Sequence, residues 1–142
     1  MSSYTLGATV DRPYEETVRA VRDALEAQGF GVLTEIDLRA TLQQKLGVDL
    51  PPQVILGACR PPLAYEALQA DPSIATVLPC NVVVRAIGDT ATVVEAFDPR
   101  AMTGLSGDGA LDSVAADARR RLIAVLAALT GEDVARTETA RA

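Results

Sequence analysis

Histidine is absent from the 142 residues, and lysine occurs once, at Lys45. Without histidine no Ser-His-Asp set can form. A zinc site built on the two cysteines, Cys59 and Cys80, would have to draw its remaining ligands from carboxylates, so zinc is set aside. Concentrated basic charge is lacking as well. Twelve arginines are spread along a chain of formal net charge -6, and they form no stripe that could neutralise phosphates. Nucleic acid and anionic membrane are therefore not expected as partners. Long hydrophobic runs are missing too: the longest, residues 122–129, is far too short to span a bilayer, and residues 1–10 have neither a basic nor an apolar signal region. A soluble, cytoplasmic protein with reduced thiols is the expectation.

The length suits one domain able to bury roughly 70% of its unfolded surface, with no need of disulfides or metal. That domain is expected over residues 1–131. Residues 132–142 are polar and aperiodic and read as a flexible tail. Within the domain, β-formers at 4–10 lead through Pro13 into a helix with an apolar line at Tyr14, Val18, Val21 and Leu25, closed by Gly29. A second strand, 30–36, should place Phe30, Val32, Thr34 and Ile36 on one face. Asp37 then caps a short helix with Leu38, Leu42 and Leu46 in line, stopped by Gly47. A third strand at 53–59 runs through Arg60, Pro61 and Pro62 into a helix ending near Ala70.

The stretch T-V-L-P-C-N-V-V-V-R, residues 76–85, is apolar on successive positions and reads as the heart of a central strand, 75–87, that needs cover on both faces. Gly88 and Asp89 fit a two-residue type II′ turn into a fifth strand at 90–97. After the glycine-rich loop 100–109, a long helix carries one stripe through Leu111, Val114, Ala115, Ala118, Leu122, Val125, Leu126 and Leu129, with Gly131 as its stop. The order is β-α-β-α-β-α-β-β-α. A hairpin at its centre forces antiparallel pairing, so the expected class is α+β, a mainly antiparallel five-stranded sheet with the long C-terminal helix packed on it.

Two segments, V-I-L-G-A-C-R-P-P-L-A-Y-E-A-L at 54–68 and V-L-P-C-N-V-V-V at 77–84, resemble the signature segments of the domain-of-unknown-function 302 family. The similarity takes in the opening strand, the first helix and the Asp98-Pro99 pair, and so nearly the whole chain up to Gly131. The resemblance implies a TATA-binding-protein-like or helix-grip fold with a curved sheet, and a homodimer. It implies no activity.

Candidate site residues are few. Cys59 stands beside Arg60 at a helix start, where positive potential favours thiolate, although a small core residue is the more frequent use of such a cysteine. Cys80, inside the central strand, fits a core thiol better still. Should the two sulfurs meet, a redox pair or a two-coordinate soft-metal site becomes available. Asn81 is the one amide in an apolar run and must either pin backbone or face a ligand. Met102 and Leu105, with the nearby glycines, would form a loose lid at the entrance to the last helix. The G-L-S-G-D-G sequence lacks phosphate-cradle spacing and the lysine that should follow, and it carries Asp108. Binding of a small apolar or amphipathic molecule between sheet and C-terminal helix leads, with thiol redox or soft-metal handling as the alternative. No catalytic residue, resident cofactor or metal is assigned.

Overall fold

Burial alternates along the strands. Leu6, Ala8 and Val10, then Val54, Leu56 and Ala58, then Val82 and Val84, then Val94 and Ala96 are all buried, the two-residue period of a sheet with one face in the core. In the computed structural model, which describes residues 2–131, these residues belong to five strands: β1 (Thr5–Val10), β2 (Gly31–Asp37), β3 (Gln53–Cys59), β4 (Cys80–Ala86) and β5 (Thr92–Phe97). They form one open sheet in the order β1-β5-β4-β3-β2, with every neighbouring pair antiparallel. The strand read as central is therefore the middle one, and the α+β class and element order agree with the sequence.

Two helices cover the buried face. Helix α1 (Tyr14–Ala27) contributes Val21 and Leu25, and α4 (Asp112–Thr130) contributes Leu122, Val125, Leu126 and Leu129 to a cluster that includes Leu6, Leu56, Val82, Val84 and Val94. Burying a Leu or Val of this kind stabilises the fold by roughly 1.5–3 kcal/mol, so the stripe on α4 is the main adhesive of the helical layer. A second cluster joins Ala67 of α3 (Pro61–Ala70), Ile74 of a 3-10 helix (Pro72–Val77), Met102 of another (Pro99–Met102), and Leu111, Val114 and Ala115 at the start of α4. The remaining helix, α2 (Leu38–Leu46), has the Asp37 cap, accepting from the Ala40 N–H at 2.9 Å, and Gly47 at φ +70°.

Several local expectations are corrected. Pro13 is the N-cap of α1 rather than its first residue, and Thr17, not Val18, is the fully buried member of its first turns because its hydroxyl donates to the Pro13 carbonyl at 2.9 Å. In β2 a bulge falls between Val32 and Thr34, so Val32 pairs with Ala58 while Thr34 pairs with Gly57 and Ile36 with Ile55. The extra residue moves Thr34 and Ile36 to the sheet face opposite Val32. The apolar line of α2 has no fully buried residue: Leu38 and Leu42 are half-buried and Leu46 is 70% exposed. The central strand begins only at Cys80: residues 72–77 are 3-10 helix, and a cis Leu78–Pro79 peptide intervenes. The β4–β5 connection spans five residues, 87–91, closed by Ile87 N–H to the Ala91 carbonyl at 3.0 Å, and Gly88 lacks the positive φ of a type II′ turn. Residues 132–142, read as a tail, lie outside the described residues.

Where β5 ends, Asp98 is 2% exposed and ties three elements together. Its carboxylate accepts from the Arg100 backbone N–H at 2.9 Å, from Arg100 Nε and Nη2 at 3.2 and 2.9 Å, and from Arg119 Nε of α4 at 3.1 Å. Its own N–H donates to the Tyr4 carbonyl. Asp98 thereby sets the strand end, the 3-10 turn that carries Met102 and the long helix in register with one another.

Candidate functional site

Beside that junction, the ends of β3 and β4 meet α3, α4 and both 3-10 helices around a small cavity of about 30 Å³. The sheet supplies Ala58, Cys59 and Cys80, and Phe30 adds a ring from just before β2. Leu63, Ala64 and Ala67 come from α3, Ile74 and Leu78 from the segment before β4, Met102 from the second 3-10 helix, and Val114 and Ala118 from α4. Arg60 is the one charged residue on this wall. Such a wall, apolar apart from one cation and two thiols, suits a molecule with an apolar body. Space of this size holds about two or three water-sized groups.

Arg60 is positioned by its neighbours. It is the N-cap of α3, which opens with Pro61 and Pro62 and has no side-chain cap, so the positive helix end falls beside it. Its side chain crosses Gly29, where a Cβ would stand 3.1 Å from Nε, and Gly29 itself has φ +82°. Glycine is needed there both for the left-handed turn and for the close approach. Arg60 Nε is buried and has no hydrogen-bond partner among the described residues. Nearby, Asp117 pairs with Arg120 and with Arg121 Nε at 3.0 Å. Burial pushes the Asp117 carboxyl up, but the hydrogen bond from Arg121 and the charges of Arg121, Arg120 and Arg60 outweigh it and hold it below its ordinary value.

Both thiols are free. Burial pushes the Cys59 thiol up, and burial together with the charge of Cys59 pushes Cys80 up. The expectation that Arg60 and the helix start would depress the Cys59 pKa is thus corrected: desolvation by burial raises it. Ala58 is paired with Cys80, so alternation places Cys80 with Ala58 and Val82 on the covered face and Cys59, the last residue of β3, in the opposite set. The two thiols nevertheless border the same cavity, near enough for the charge of Cys59 to act on Cys80.

Four of the residues singled out from sequence, Cys59, Arg60, Cys80 and Met102, border this one cavity. Two do not. Asn81 is exposed on the other face of the sheet, with Tyr4, Val83, Arg85, Glu95 and Phe97, in a shallow groove of about 360 Å³. Its amide meets water there, so no buried partner is required. Leu105 is 59% exposed in a loop with Gly104, Gly107 and Gly109 at positive φ, and Met102, 5% exposed, is a fixed wall rather than part of a loose lid. Sequence pattern places Phe30, Leu78 and Val114 only as strand or stripe residues and gives Ile74 no role, since nothing in a single strand or helix pattern says which elements converge.

The model of the family described as "Domain of unknown function DUF302" matches residues 6–129. The chain belongs to the DUF302 family. The crystal structure of an uncharacterized conserved DUF302 protein from Bacillus stearothermophilus is similar over 90% of this chain and 99% of that one, at 31% identity and TM-score 0.81. No curated protein matches. The match takes in every element bordering the cavity, so the cavity lies within the DUF302 unit. No helix among the described residues is long and apolar enough to cross a membrane.

Proposed function

We propose that this DUF302 protein is a non-catalytic, homodimeric module that binds a small apolar or amphipathic molecule in the cavity between the sheet, α3 and α4. The observation that supports this reading is the wall itself, in which side chains from six separate elements converge around a space they do not fill. Native mass spectrometry of the purified protein, with Ala64→Leu as a cavity-filling control, tests it. A small-molecule adduct on the native chain that the leucine variant fails to retain is the expected result. If added short-chain aliphatic compounds leave the melting temperature and the cavity resonances unchanged, the reading is wrong.

The homodimer reading draws on the sheet face opposite the helices. There Phe97 and Ile36 remain 41% and 45% exposed beside Val83 and Ile55, and the charged pair Arg85 and Glu95 neutralise each other. An apolar face with balanced charge, on a chain of net charge -6, is a surface on which a second copy meets little repulsion. Light scattering at micromolar concentration should give twice the chain mass, and a monomer mass throughout would remove the dimer from the proposal.

A further inference from the structure

The chain has two cysteines and two methionines, and apart from Met1 all of them border one small cavity. Cys59 closes β3, Cys80 opens β4 and Met102 ends the second 3-10 helix, so three separate elements each bring one sulfur-bearing residue to the same space. Strand alternation does not hold Cys59 away from it, because β3 ends at that residue and the chain leaves the sheet through Arg60 to enter α3. Both thiols are free, and they are near enough for the charge of one to act on the other. The rest of the wall is apolar apart from Arg60, with no carboxylate and no hydroxyl on it.

We propose that Cys59, Cys80 and Met102 form a binding site for one Cu(I) ion, held by two thiolates and a thioether. The donor set decides the metal. Thiolate and thioether sulfur are soft ligands that favour Cu(I), an ion that two or three of them satisfy. Zinc takes four ligands, and no group of three or more His, Cys, Asp and Glu residues that could hold a metal is present among the described residues. Hard cations such as magnesium need oxygen ligands, and no side chain on this wall offers one. On binding, each thiol gives its proton to water and each thiolate sulfur forms one bond to copper, so two protons leave for one ion and its oxidation state does not change. The two-thiolate complex carries one negative charge, which the guanidinium of the next residue after Cys59 offsets. A single ion needs no more room than a water-sized group, so about 30 Å³ suffices. It leaves too little space for the molecule of the reading above, which makes the two occupants competitors, each with its own test.

Anaerobic titration of the full chain with Cu(I), supplied as its acetonitrile complex and in competition with bicinchoninate, tests the assignment. The native chain should withdraw one Cu(I) per molecule from the chelator, and copper X-ray absorption should show a first shell of sulfur alone. Cys59→Ser and Cys80→Ser should each weaken binding by on the order of 100-fold, and Met102→Leu by about ten-fold with one sulfur lost from the shell. Failure to compete with bicinchoninate, or nitrogen or oxygen in the first shell, would overturn the site. So would one copper per two chains, or Cys59→Ser binding as tightly as the native chain. Zn(II) displacing the bound Cu(I) would overturn the choice of metal. Where a serine variant does not fold, alkylation of the native chain decides: the ion should protect Cys59 and Cys80 together, and labelling of Cys59 unaffected by Cu(I) would refute the pairing. None of these outcomes bears on the small-molecule reading, which stands or falls on the aliphatic probes.

Discussion

Replacing Asp98 by alanine removes the carboxylate on which β5, the Pro99–Met102 turn and α4 converge. The cost can be worked from its partners. Arg100 is 61% exposed at its side chain, so its guanidinium regains water and those two bonds contribute little. Arg119 is 23% exposed against a carboxylate at 3%, so its bond is shielded and is worth roughly 1.5–3 kcal/mol. The bond from the Arg100 N–H acts as a cap on the 3-10 turn and adds about 1 kcal/mol. The expected loss for Asp98→Ala is therefore about 3 kcal/mol, which for a chain of this size lowers the melting temperature by roughly 6–12 °C. Asp98→Asn keeps an acceptor for the backbone and should lose about half as much. Urea unfolding followed by circular dichroism, with Arg119→Met and the double variant completing a cycle, provides the measurement. A loss below about 1 kcal/mol, or full additivity of the two substitutions, would refute the claim that the pair joins strand to helix.

At Gly57 an added Cβ would stand 2.8 Å from Pro79 Cγ and closer still to Thr34 Oγ1, so Gly57→Ala should destabilise by about 1–3 kcal/mol in chemical denaturation, and a neutral result would mean that Pro79 yields freely. For Glu95, burial raises the pKa, but hydrogen bonds from Arg85 and Thr5 and the charge of Arg85 outweigh it, so the folded value lies below the unfolded one. The stability this group contributes is present above the ordinary carboxylate pKa and is lost as pH falls through the lower folded value. Glu95→Gln should accordingly flatten the acid limb of a plot of melting temperature against pH, and an unchanged limb counts against the assignment. Both thiols, raised by burial, should alkylate slowly at neutral pH, Cys80 more slowly than Cys59, and mass mapping that finds rapid labelling of Cys59, slowed by Arg60→Ala, would revive thiol chemistry.

Much of the fold is legible because burial follows period. The stripe Val114, Ala115, Ala118, Leu122, Val125, Leu126 and Leu129 is the buried side of α4, and the residues predicted for the third strand are those of β3. Gly47 and Gly131 stop their helices at positive φ for the reason their position suggests. Legibility ends where one residue changes the count or where the decisive partner is distant. Leu33 is the extra residue of a bulge that pattern alone reads as regular strand, and the apolar run before Cys80 mimics strand while Leu78 in fact packs against the cluster of Ile74, Met102 and Val114. At the cavity, Cys59 and Arg60 were visible through the chemistry of a helix start. The unmet donor on Arg60 was not, because what surrounds a side chain is a property of converging elements and not of its neighbours in sequence. Asn81 shows the opposite failure: an amide in an apolar run looks buried until its face of the sheet is known to be open.

The strand order also has a consequence for biosynthesis. Strands β3, β4 and β5 each pair with the strand made just before them, whereas β1 pairs only with β5, and ninety residues separate Thr5 from Glu95, whose carboxylate accepts from the Thr5 hydroxyl. A ribosome adding roughly 5–20 residues per second takes on the order of 5–20 s to cover that distance. Throughout that interval Leu6, Ala8 and Val10 have been made but not their neighbouring strand. The first strand of the sheet to be made is therefore the last whose pairing can be completed, so during translation its apolar residues are the sheet's most persistent target for a holdase.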